Sequence, residues 1–148
     1  MNKIKHLQLK LLDKKLSKIR VVNIPSGGWI KAIRSSLGMS NRNLANRMGI
    51  TKQSVAKLEE NEVNDSITLK SLKRAAESMN CRLEYMFIPN EHSLEDIIKK
   101  QSEIKATEIV SAVDHTMQLE KQGVGNKKEK IKELAEEYMK NPNSKLWE

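Results

Sequence analysis

Residues 37–61 run LGMSNRNLANRMGITKQSVAKLEEN, two short amphipathic segments hinged on a single glycine. Leu44, Met48, Ile50, Val55 and Leu58 recur at the spacing of two helix faces that share one buried seam. Ser40 and Thr51 each stand just ahead of a segment, where a hydroxyl can accept a hydrogen bond from an otherwise unsatisfied helix N–H. Gly49 falls in the turn, where positive φ is cheap only for glycine, and Ala45 is small where a second helix has to approach closely. Two helices crossing steeply over a tight turn are predicted. Arg34 and Glu59, which flank them, are placed to meet as a buried ion pair.

Working outward, residues 29–37 are expected to form a helix stopped by Gly38, and apolar residues at 69, 72, 75, 76 and 79 predict another. The stretch 81–88 alternates Cys81, Leu83, Tyr85 and Phe87 with Arg82, Glu84, Met86 and Ile88 before Pro89, which predicts a strand. Before the central block, 4–19 reads as a basic amphipathic helix, followed by the turn-forming Asn23-Ile24-Pro25-Ser26-Gly27-Gly28. After it, Ser93-Leu94-Glu95-Asp96 opens like a capping box. A stripe then follows through Leu94, Ile97, Ile98, Ile104, Ile109, Ala112, Val113, Thr116 and Met117. A break at 122–126 and an amphipathic 127–140 with Ile131, Leu134, Ala135, Tyr138 and Met139 complete an expected helical hairpin. The organisation is thus a basic N-terminal helix (1–22), a helical head (27–80), a strand (81–89) and a C-terminal helical region (93–148).

Composition narrows the function classes. Of 148 residues 38% are hydrophobic but only 3% aromatic, which suits a core of aliphatic side chains and leaves an RNA-binding module short of stacking platforms. Residues 1–60 hold 13 Lys or Arg against 3 Asp or Glu, while the rest holds 14 against 16, so the front is basic and the back nearly neutral. That asymmetry fits a footprint for a polyanion. Cys81 is the one cysteine, which excludes an internal disulfide and a cysteine-based metal site. With no apolar run long enough for a membrane span and no signal-peptide core, a soluble, cytoplasmic protein is expected.

Other combinations carry no chemistry. His6, His92 and His115 have no metal or catalytic spacing and are expected at the surface. Ser26-Gly27-Gly28 lacks the lysine of a phosphate-cradling loop, and the neighbours Glu59-Glu60 and Glu136-Glu137 diverge around a helix rather than forming an acid/base pair. No catalytic residue, cofactor site or metal site is predicted.

Across residues 29–79 the chain resembles the Xre-type helix-turn-helix of phage repressors and many antitoxins. The resemblance implies a mainly α fold: a lambda-repressor-like five-helix DNA-binding head, here with one added β-strand and a C-terminal helical hairpin. It further implies that the second helix of the motif enters the major groove, with Lys52, Gln53, Ser54 and Lys57 reading bases. Asn41, Arg42 and Thr51 lie at helix N-termini suited to phosphate. The lone strand would be satisfied by its twin across a two-fold axis, as in some Xre-type antitoxin dimers, giving a homodimer on a palindromic operator.

With a longer set, Gly27-Gly28-Trp29-Ile30-Lys31-Ala32-Ile33-Arg34, the 37–61 segment, Ile67-Thr68-Leu69, Cys81 and Lys145-Leu146-Trp147-Glu148, the chain is similar to the mobile mystery protein A family. That resemblance implies a regulator, antitoxin-like, encoded beside a Fic-domain protein. A second class of function is a sequestering protein that holds its partner with the C-terminal helices and binds DNA secondarily.

Overall fold

A computed structural model describes residues 3–119 and 126–148. Its α-helices are α1 (Lys3–Leu16), α2 (Trp29–Ser36), α3 (Asn41–Met48), α4 (Lys52–Val63), α5 (Leu69–Ser78), α6 (Leu94–Leu119) and α7 (Lys127–Lys140), with a 3₁₀ turn at Ser144–Trp147. They fall into two units, one over residues 21–86 and another combining the N-terminal stretch up to Arg20 with the chain from Phe87 onward.

In the head, local side chains set the helix starts. Ser40 Oγ accepts from Asn43 N–H at 3.1 Å while Asn43 Oδ1 accepts from Ser40 N–H at 2.8 Å, a reciprocal capping box. Thr51 Oγ1 accepts from Ser54 N–H and Thr68 Oγ1 from Ser71 N–H, each at 3.1 Å. Gly38 and Gly49 follow α2 and α3 in the left-handed conformation, at φ of 70° and 68°. Ile30, Leu44, Ala45, Met48, Val55, Ala75 and Met79 then form one buried core, with Ile33, Met39, Ile50, Leu58, Ile67 and Leu72 packed against it.

Helix α2 has no hydroxyl at its start. Instead Glu62, on α4, accepts from the N–H of Trp29 at 2.7 Å and of Ile30 at 3.0 Å. The carboxylate comes so close that a Cβ on Gly28 would lie 2.6 Å from its Oε2. Gly28 also adopts φ 82°, ψ 166°, a region open essentially to glycine alone. Gly28 therefore lets a distant acid cap the first helix of the core.

The strand expected over 81–89 is absent, and no residue of the described chain is in a strand. Alternation alone does not make a ladder: without a neighbouring strand to exchange N–H and C=O bonds the segment stays a connection without regular secondary structure. Leu83 is half-buried, whereas Tyr85 and Phe87 are 70% and 90% exposed.

The second unit is built from α1, α6, α7 and the 3₁₀ turn. Helix α6 packs on α1, α7 and the turn. Its first three N–H groups are all satisfied: Asp13 of α1 accepts from Leu94 at 2.7 Å and Glu95 at 3.2 Å, and Ser93 Oγ from Asp96 at 3.0 Å. The buried positions are Ser102, Ala106, Val110, Ala135 and Leu146. This shifts the expected α6 stripe, because Ile104, Ala112, Val113 and Thr116 are exposed. Large aliphatics mislead the periodicity: the buried positions of α6 are the smaller Ser102, Ala106 and Val110, and Ser102 hides its hydroxyl by donating to the Ile98 carbonyl at 2.7 Å. The side chain of Met117 and the expected break at 122–126, apart from Asn126, lie outside the described residues.

Candidate nucleic-acid interface

The turn between α3 and α4 is three residues, Gly49, Ile50 and Thr51. Ile50 N–H donates back to the Ala45 carbonyl at 3.0 Å across the left-handed Gly49, closing α3 before Thr51 opens α4. Leu44, Ala45 and Val55 are buried between the two helices, which fixes α4 by its inner face and leaves the outer one to solvent.

At about 100° per residue, Lys52, Gln53, Ala56, Lys57 and Glu60 occupy the outer arc of α4, and all five are exposed. Lys52 and Gln53 make no hydrogen bond or ion pair among the described residues. Lys57 Nζ reaches Glu60 Oε2 at 3.0 Å, a solvent-exposed pair of the kind contributing under about 1 kcal/mol, so the ammonium is readily released. Ser54 is half-buried at the margin of the arc, and its hydroxyl lies 2.8 Å from that of Thr51. The structure thus brings Ser54 and Thr51 together as a local pair. Arg42 is exposed and Asn41 half-buried at the start of α3, where the leading amides have no intrahelical acceptor.

Arg34 and Glu59 clamp the frame. Arg34 Nε donates to Glu59 Oε1 at 2.6 Å and Nη1 to the Met39 carbonyl at 2.7 Å, with the side chains only 11% and 12% exposed. One guanidinium thereby ties α2 to α4 and to the α2–α3 turn.

Four further positions bear on the surface without any signal in the motif spacing. Ala56 and Glu60 sit in the middle of the exposed arc, visible only when the helix is wound out. Arg74 of α5 donates to the Met48 carbonyl at 3.3 Å, and Arg47 of α3 donates to the Ser78 carbonyl at 2.5 Å, so each helix end is capped by an arginine of the other. Arg74 also lines, with Ser54, Lys57 and Ser71, a groove of about 280 Å³ alongside α4. The only hint in sequence is the basic run Lys70, Lys73, Arg74.

Residues 30–86 match the family model described as helix-turn-helix. This segment is a helix-turn-helix domain. The helix-turn-helix family is one of DNA-binding regulator domains, so the match points to DNA binding and transcription regulation by this domain. No curated protein and no solved structure matches the chain. Outside the domain, no described helix is long and apolar enough to cross a membrane. His92 and His115 are exposed, while His6 is half-buried with Nδ1 unpartnered among the described residues.

Proposed function

We propose that the helix-turn-helix domain is a sequence-specific repressor module acting as a homodimer on a palindromic operator, controlling its own operon. The observation that supports it most is the outer arc of α4, where Lys52 and Gln53 are exposed and unengaged on a helix fixed by its inner face. Gln53 matches the donor–acceptor pattern of adenine and Lys52 the acceptors of guanine. Ser54 and Lys57 complete the reading face, while Asn41, Arg42 and Thr51 hold phosphates at two helix N-termini. A two-fold arrangement is favoured by the exposed Tyr85, Met86, Phe87 and Ile88, consecutive apolar side chains that a second copy would cover.

Selection of bound duplexes from a random pool, then footprinting, tests this. Two protected half-sites about 34 Å apart are expected, and Lys52→Ala and Gln53→Ala should each weaken specific binding by about 1–3 kcal/mol and relax base choice. An unchanged preference in both variants would remove α4 as the reading helix.

The second part of the proposal is an antitoxin-like role beside a Fic-domain protein. It is supported by the resemblance carried by residues 27–34, 37–61, 67–69, Cys81 and 145–148. In this reading the second unit holds the partner, and DNA binding regulates the supply of both.

A further inference from the structure

The largest charge excess is not on the helix-turn-helix domain. Residues 1–20 carry seven Lys or Arg against the single Asp13, a balance of +6, whereas residues 21–86 carry ten against six. Asp13 is turned inward as the cap of α6, so no carboxylate remains on the outer side of α1. Packed inward with it are His6, Leu9 and Leu16, all half-buried. The opposite side is apolar along its centre, with Leu7 59% and Leu11 51% exposed. Lys3, Lys10 and Lys14, seven and then four residues apart, line one shoulder of that stripe. Beside it runs an open groove of about 740 Å³ lined by the apolar Leu7 and Met139, by Lys3, Lys10 and Lys140, and by His6 at its inner side.

From this we infer that α1 and the end of α7 form a docking groove for an acidic amphipathic helix of a partner protein. A second copy is a poor occupant, because pairing two such faces would oppose lysines to lysines with no carboxylate between them. Nucleic acid satisfies the lysines but offers nothing to cover Leu7 and Met139. A membrane surface favours a convex apolar face with interfacial aromatics, whereas this site is concave and α1 has none. A helix with one aliphatic ridge and Glu or Asp on its shoulders meets both requirements: the ridge fills the groove and the acids reach the lysines. The inference rests on the partner half of the proposed function and is independent of the DNA half.

The test uses the full chain and a labelled peptide of about 18 residues, with Leu on one stripe and Glu on both shoulders. A peptide of the same composition in scrambled order is the control, and Leu7→Ser and Lys10→Glu are the variants. Both positions are exposed, and unchanged circular dichroism and thermal midpoints establish that the variants fold. Saturable binding is expected, weakened about tenfold by scrambling or by either variant, and further by added salt. Equal affinity for the scrambled peptide would reduce the groove to general charge attraction and overturn the inference, as would no binding at all. Tighter, variant-sensitive binding of phosphatidylglycerol vesicles or of non-operator duplex would also overturn it. Operator binding, measured on the same variants, should be unchanged, which separates failure here from failure of the repressor reading.

Discussion

In the head, each hydroxyl cap sits three residues from the N–H it accepts, as with Ser40 and Asn43, Thr51 and Ser54, and Thr68 and Ser71. In the second unit, Asp13 caps helix α6 from 81 and 82 positions away. The head's three hydroxyl-capped helices can therefore start themselves; α6 is opened in the same way by Ser93 but draws the caps of its first two amides from Asp13 near the other end of the chain. The head also has a clamp, Arg34 with Glu59, which has no counterpart among the buried positions of the second unit, where Ser102 alone is polar and is satisfied by its own helix. The head thus combines local caps with contacts between its own helices, whereas α6 of the second unit takes two of its caps from 81 and 82 positions away.

Breaking the clamp should have the largest effect. Arg34→Ala leaves Glu59 buried without its cation and Met39 without its donor, and should destabilise the head by about 3–5 kcal/mol. Thermal melting would show it. Arg34→Met with Glu59→Leu should recover part of the loss, held short of full recovery by the Met39 carbonyl. A melt unchanged by Arg34→Ala would show that the pair holds nothing together.

Next comes the loop where α4 caps α2. Gly28→Ala forces a side chain into a glycine-only conformation and against the Glu62 carboxylate, which should cost about 1–3 kcal/mol and perturb the amides of Trp29 and Ile30. Gly38→Ala has equally positive φ but open space around its Cβ, so about 1 kcal/mol is expected there. Similar losses at the two sites would mean that backbone strain matters and the Glu62 approach does not.

The same contrast explains what could be read from sequence. Ser40, Thr51, Gly49 and the apolar seam announce themselves because each acts on a neighbour within a turn or two. Glu62, Asp13, Arg47 and Arg74 are silent, because a cap delivered from another helix has no fixed spacing. The strand over 81–88 was misread since alternation reports which way side chains point, not whether a partner exists. The helix α6 itself is legible but its buried face is not, because aliphatic size marks Ile104 and Val113 while the buried positions are Ser102, Ala106 and Val110. At the interface, Lys52 and Gln53 follow from the motif, whereas Ala56 and Glu60 need the helix wound out.

For the second unit the sharpest break is smaller. Asp13→Ala should cost about 1 kcal/mol, seen as faster amide exchange at Leu94 and Glu95, with head amides unaffected. Equal loosening of both units would show that they do not open separately.

The smallest effect belongs to Lys100, whose hydrogen bond and charge contact with Glu91 at 2.5 Å hold it protonated above its ordinary value of 10.5. A lysine raised on folding lends its stability in full below the unfolded value and loses it as pH climbs through the folded one. The contribution is therefore constant through neutral pH and disappears only above 10.5. Being fully exposed and screened, the pair should leave Lys100→Met and wild type with nearly the same melting point at neutral pH, converging completely in strong alkali. A difference that persisted undiminished in strong alkali would assign the stabilisation to the packing of the lysine stem and not to its charge.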